Sequence, residues 1–223
     1  MKLPDKIADM IIYELPISLY SFKLRLAIAL KGATVELRAP PGGTYRSPEF
    51  RAINPAGTIP ALVEGDFVLS ESDAIVEYLD DIHAGARLLP SEPKLRARTR
   101  MLSRWCDLRL EPQIRLLFAA VKAATPDTAS IAATDSRIAA ALALIETALD
   151  REGPYALGAE PGLADCGLTA CATWLAELAP ALSLSARPGE KLVRSADALQ
   201  KNPVTSAEIE AYRTLARKWV AGS

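Results

Sequence analysis

Three short segments hold residue types that can do chemistry. In the first, Pro16-Ile17-Ser18-Leu19-Tyr20-Ser21-Phe22-Lys23-Leu24-Arg25, a hydroxyl stands where an apolar run gives way to a helical pattern. A helix N-terminus favours negative charge through its free N–H groups and its dipole, and a thiol held there ionises more readily. Ser18 is therefore placed to donate a hydrogen bond to a substrate sulfur and stabilise its thiolate. The same residue at the same junction also reads as an ordinary N-cap, with Tyr20 and Ser21 as competing hydroxyls. In the second segment, Asn54-Pro55-Ala56-Gly57-Thr58-Ile59-Pro60-Ala61-Leu62, a proline opens a short apolar run. An X-Pro bond adopts the cis form at little cost, and a cis Pro60 would turn the N–H and C=O of Ile59 outward as a strand edge for a peptide-like ligand. A plain Pro/Gly turn is the simpler alternative. In the third, Leu69-Ser70-Glu71-Ser72-Asp73-Ala74-Ile75, Ser72 and the N–H groups of a starting helix can hold a carboxylate while Glu71 holds an ammonium. Those are the two charges of an α-amino acid head group. Ser70 with Asp73 also fits a plain capping box.

The elements that must position these residues follow from the hydrophobic pattern. Up to about Pro90, short apolar or β-branched runs (10–15, 34–37, 61–63, 67–69) alternate with helical stretches, among them residues 18–30 and a short helix at 48–53. Around Glu64-Gly65-Asp66 two runs make a hairpin, and Ala74, Ile75, Tyr78, Leu79 and Ile82 form one apolar helix stripe. The order β-α-β, then β-β-α, is that of a thioredoxin-like α/β domain. Beyond Pro90, Ala, Leu and Arg dominate, and helices are expected at 92–123, 130–151, 163–178, 191–200 and 207–220, with Pro112 interrupting the first. The organisation expected is thus an α/β thioredoxin-like domain over residues 1–83, a linker over 84–91, and an all-α domain over 92–223.

Composition narrows the function. The 223 residues are 50% hydrophobic and 24% charged, and 26 basic against 27 acidic side chains leave a formal charge of -1. That balance lacks the basic excess with which nucleic-acid binders neutralise phosphates. Lys, Arg, Asp or Pro interrupt the apolar runs, so no bilayer span is expected, and neither a membrane nor a nucleic acid is an expected partner. The N-terminal apolar stretch is too short for an export signal. Cys106, Cys166 and Cys171 form no CxxC pair and suit a reducing cytoplasm. With His83 the only histidine, no metal site is expected, and His83 itself reads as a residue near a helix C-terminus.

Taken together, in this order and spacing, the three segments resemble the N-terminal domain of the glutathione transferase superfamily, and the helical remainder is similar in length and pattern. The resemblance spans residues 10 to about 90 and is nearest to serine-using classes such as zeta and tau. It implies a cytoplasmic, homodimeric enzyme with glutathione as co-substrate and a small hydrophobic electrophile as the second substrate. Ser18 would be the catalytic hydroxyl, and Thr58, Ile59, Pro60, Glu71 and Ser72 the glutathione-binding residues. Thr58 stands where many members carry Lys or Gln, so Arg46 and Arg51 are alternative anchors for the glycine carboxylate. Leu15, Leu19, Trp105, Arg109 and Phe118 would line the electrophile pocket, although the helical positions also read as core. Gly162 takes the place of a Ser or Thr cap before Leu163-Ala164-Asp165. A Ser-Ser-Cys run of the zeta class is replaced by Ser18-Leu19-Tyr20. The main expectation is conjugation of the glutathione thiolate. The alternatives are a glutathione-dependent isomerase or dehalogenase on the same fold, or a ligand-binding or interaction protein that keeps the fold without the reaction.

Overall fold

Strand β1 (Lys6–Tyr13) is the central element of the first unit. It pairs parallel with β2 (Thr34–Arg38) and antiparallel with β3 (Ala61–Glu64), which turns back through a hairpin into β4 (Phe67–Ser70). The sheet order is β2-β1-β3-β4. Gly65 makes the hairpin possible by taking a left-handed φ of 59°. The register sets Met10 opposite Glu64 and Ile12 opposite Leu62, so Met10, Ile12 and Leu62 are all buried. Helix α1 (Leu19–Lys31) buries Phe22, Leu24, Leu26 and Ala27 and packs beside α3 (Ser72–Ile82). A short α2 (Pro48–Ile53) inserts Phe50 edge-on to the Tyr13 ring at 5.6 Å. This computed structural model describes residues 6–222, and the chain divides into two compact units, Met1–Leu89 and Pro90–Ser223.

The stretch expected to be a linker over 84–91 is fixed to the first unit as far as Leu89. Leu88 and Leu89 are buried, and their N–H groups donate to the Asp80 carboxylate at 2.8 and 3.3 Å. Buried Lys31 completes this node, donating to Asp80 Oδ1 at 3.0 Å and to the His83 carbonyl at 2.9 Å. A carboxylate at the end of α3 that has lost its water must find donors nearby, and the chain just beyond supplies them. His83 caps α3, with its Nδ1 accepting from Gly85 N–H at 3.1 Å.

The second unit is helical. The one helix expected over 92–123 is three pieces: α4 (Pro93–Trp105), a π-helical segment (Cys106–Leu110) and α5 (Glu111–Lys122). Pro112 has no N–H, and its ring crowds the carbonyl four residues back. The π turn relieves this, with Glu111 N–H reaching back five residues to the Cys106 carbonyl. Helix α6 (Thr128–Ala148) starts two residues before the expected Ser130, because Asp127 caps it by accepting from Ala129 and Ser130 N–H at 3.0 and 3.2 Å. By length and composition α6 is apolar enough to cross a bilayer, contrary to the expectation that no stretch is. It nevertheless packs in the helical unit through Ile138, Leu142 and Ile145, and its Asp135 accepts from Ser185 N–H, Ser185 Oγ and Ala186 N–H.

Helix α7 (Leu163–Leu182) is the most buried, and α8 (Glu190–Lys201) and α9 (Ser206–Ala221) pack against it. Gly162 brings no capping side chain, but Asp165 does that work from inside the helix. It accepts from Gly162 N–H at 2.9 Å, Ala156 N–H at 2.7 Å and Ser195 Oγ at 2.5 Å, while burial pushes its pKa up.

Candidate functional site

The first unit carries all three chemical segments at strand–helix junctions. β1 ends at Tyr13, and the chain turns through 14–18, where Ser18 N–H donates to the Leu15 carbonyl at 2.9 Å. Arg25 holds the outside of this turn, donating to Glu14 Oε2 at 2.5 Å and to the Pro16 carbonyl at 2.9 Å. Ser18 is the N-cap of α1, its Oγ accepting from Ser21 N–H at 3.3 Å. The cap therefore exists, and it does not exclude the chemical role. A hydroxyl that accepts a helix N–H still has its own proton to donate. Ser21 is nearly fully buried and accepts from Leu15 N–H at 3.4 Å, so its hydroxyl belongs to the turn. Tyr20 is half-buried.

In the second segment the Ile59-Pro60 bond is cis, as expected. Among the described residues neither the N–H nor the C=O of Ile59 takes part in a backbone hydrogen bond. Ile59 is half-buried against the Tyr13–Phe50–Ala61 cluster, Pro60 is buried and Thr58 is exposed. The sequence reading passed over Asn54, which is buried and organises the loop. Its Nδ2 donates to the Thr58 carbonyl at 2.9 Å and its Oδ1 accepts from Ala56 N–H at 3.3 Å. The Asn-Pro dipeptide was the available signal, since asparagine side chains commonly bond their own backbone two residues on. Arg51 lies beside this loop, its Nε 3.1 Å from where a Cβ on Gly57 would stand, whereas the Arg46 guanidinium stacks 5.4 Å from the Tyr45 ring centroid.

The third segment differs from a plain capping box. Glu71 is the N-cap residue of α3, with φ 74° and ψ 115°, and makes no side-chain cap. A positive φ in a residue with a Cβ costs of the order of 1–3 kcal/mol and concentrates at functional sites. Here it leaves the Glu71 side chain exposed and the nearly buried Ser72 as the first helical residue. Asp73 does not cap back to Ser70 but pairs with buried Lys23 of α1.

The five residues expected at an electrophile pocket fall in both units. In the first, Leu15 is half-buried while Leu19 is 4% exposed and belongs to the core, which leaves little of it for a ligand. In the second, Trp105 ends α4 half-buried and Arg109 is exposed on the π segment. Phe118 packs its ring 4.6 Å from Trp174 and 5.0 Å from Trp219, with Tyr212 behind receiving the Trp174 indole N–H at 2.7 Å. That aromatic cluster makes packing its first role. Among the described residues no group of three His, Cys, Asp or Glu could hold a metal ion.

The thioredoxin-like unit thus carries a hydroxyl at a helix start, a cis-proline turn that leaves the Ile59 backbone outside the described backbone pairing, and an acid-serine pair at a second helix start. The family descriptions "Glutathione S-transferase, N-terminal domain" and "Glutathione S-transferase, C-terminal domain" match residues 12–87 and 128–201. The chain is 36% identical over 166 residues to the probable glutathione S-transferase BZ2 of Zea mays, covering 68% of each chain. It is 35% identical over 156 residues to the maleylpyruvate isomerase of a Ralstonia species, covering 66% of this chain and 74% of that one. A solved maleylacetoacetate isomerase from Methylobacterium extorquens AM1, with bound malonate and GSH, superposes with a TM-score of 0.73 at 25% identity, over 91% of this chain and 97% of that one. With several other curated relatives the matched stretch spans under half of their length. The chain belongs to the glutathione S-transferase family.

Proposed function

We propose that the protein binds glutathione on its first unit and adds the thiolate to an electron-poor double bond of a small unsaturated acid, isomerising it. Bound glutathione would supply the nucleophile: its S–C bond forms, the double bond becomes single and rotates, and the S–C bond breaks again with glutathione regenerated. The Ser18 hydroxyl would donate to the sulfur and keep it ionised. Ile59 would pair with the cysteinyl backbone, Pro60 and Thr58 would shape that edge, and Glu71 with Ser72 would hold the two charges of the γ-glutamyl end. Arg51, beside the 54–58 loop, is the better placed of the two arginines for the glycine carboxylate.

The observation that carries this reading is the Ser18 hydroxyl at the start of α1, on a chain similar over two thirds of its length to a maleylpyruvate isomerase. The test is proton NMR of a maleyl acid incubated with enzyme and glutathione. Appearance of the trans acid with total thiol unchanged supports isomerisation, and no glutathione-dependent change in the acid or the thiol refutes the proposal. Conjugation is the second reading, favoured by Leu19 and Tyr20 in place of a Ser-Cys pair and by the similarity to BZ2. It would consume thiol and leave a thioether. The reading also includes a homodimer. Edge strand β4 leaves Phe67 and Val68 exposed, 45% and 37%, on opposite faces of the strand, and, among the described residues, its outer backbone edge unpaired within the sheet. Sedimentation velocity at micromolar concentration should show a dimer, and only monomer would contradict it.

A further inference from the structure

The acidic residue in the first turn of α3 is Asp73, one position past Ser72. An acid there ordinarily strengthens a helix, because its carboxylate faces the free N–H groups and the positive end of the dipole. In this helix the same N–H groups are where the reading above places the α-carboxylate of glutathione. An Asp73 turned to those groups would compete for donors and repel the incoming anion. The structure diverts it. Lys23, on α1 and 0% exposed at its side chain, forms an ion pair with Asp73, whose own side chain is only 11% exposed. Burying a lysine without a partner is costly, so this cation is placed where it is matched by charge. No side-chain cap from Glu71 takes the helix start in its stead. The pair also ties the helix capped by Ser18 to the helix that begins at Ser72.

We propose that Lys23 is a specificity-determining positioning residue: by binding Asp73 it draws that carboxylate towards α1 and reserves the N-terminus of α3 for an anionic group of the ligand. The inference rests on glutathione being that ligand. It predicts coupling of a particular kind, in which removing the cation alone weakens ligand binding and removing both charges restores it.

The test is calorimetric titration of glutathione into the wild type, Lys23→Met and Lys23→Met/Asp73→Leu, with the pKa of bound thiol followed by ultraviolet thiolate absorbance. Lys23→Met should weaken glutathione about tenfold or more. The thiol pKa, set at Ser18, should stay within about a third of a unit of wild type, since that is under half a kcal/mol at the sulfur. The double variant should bind within about threefold of wild type, because buried ion pairs are often replaced by apolar residues at little cost. Unchanged affinity in Lys23→Met, an equal disturbance of the thiol pKa, or a double variant as weak as the single one would each overturn the proposal. If Lys23→Met does not fold, the double variant decides alone, a tenfold loss being the refuting result. Wild type that fails to bind glutathione would overturn the proposed function and this inference with it, whereas tight binding untouched by Lys23→Met overturns only the inference.

Discussion

Replacing Ser18 with alanine removes a helix cap and, on the proposed function, a donor to the glutathione thiolate, and the two losses can be read separately. As N-cap, Ser18 Oγ accepts from Ser21 N–H at 3.3 Å. Losing such a cap costs about 1 kcal/mol, which for a chain of this size lowers Tm by about 2–4 °C. As donor to a thiolate, the hydroxyl makes a hydrogen bond to a charged group, a contact whose contribution is about 1.5–3 kcal/mol. At 1.36 kcal/mol per pKa unit, Ser18→Ala raises the pKa of bound glutathione by roughly 1–2 units. Below the wild-type pKa the rate falls in the same proportion, on the order of ten- to a hundredfold. The assays are thermal unfolding and the pH dependence of kcat/KM, with Ser18→Thr as the variant that keeps both functions. A drop in Tm with an unmoved pH profile would show that Ser18 is a cap and nothing more, and would pass the thiolate to Tyr20.

Glu71→Gly should stabilise the fold by about 1 kcal/mol, since glycine adopts the positive φ without strain. It should also raise KM for glutathione about tenfold by losing the ammonium partner; an unchanged KM would show that the Glu71 carboxylate takes no part in binding. The three thiols, Cys106, Cys166 and Cys171, are buried, and Cys171 is pushed well above the usual thiol range by its hydrogen bond with Cys106 and by burial. A disulfide reagent should therefore titrate none of them in the native protein and all three after denaturation, and rapid native labelling would contradict the burial. Asp150 is held below its usual value by the N–H groups of Gly153 and Glu152. Its contribution is present above the unfolded value of 3.8 and lost as pH falls through the lower folded one. Urea midpoints of wild type and Asp150→Asn should differ at pH 7 and converge in acid; a constant difference would refute the link.

Local signals carried much of the first unit. The Glu64-Gly65-Asp66 turn, the stripe from Ala74 to Ile82 and the Ile59-Pro60 dipeptide each encode their structure within a few residues, and each appears where the pattern places it. What was not legible depends on distant partners or on a choice between local alternatives. Asp73 satisfies a capping box in sequence, yet the buried ammonium of Lys23 outcompetes Ser70 for it. The π segment has no composition of its own; it follows from Pro112 within a helix whose flanks both pack against α7. Phe118 looked equally suited to pocket and core, and only the rings of Trp174 and Trp219, far along the chain, assign it to packing.

The node at Asp80 also determines where this polypeptide can be divided. A fragment stopping at residue 83, where the regular helix ends, would delete the two N–H donors of Leu88 and Leu89 and strip two buried leucines from the first unit. It would also leave the Asp80 carboxylate to Lys31 alone among the groups that remain. Carried through Leu89, the same fragment retains its charge balance and its apolar seal. For recombination between relatives, natural or engineered, the permissible crossover therefore lies after Leu89, even though residues 84–87 look like a tether. Gly85 tightens this constraint, because any Cβ there would stand 1.9 Å from the Lys31 carbonyl. A spliced-in segment must bring a glycine at that position or move the end of α1.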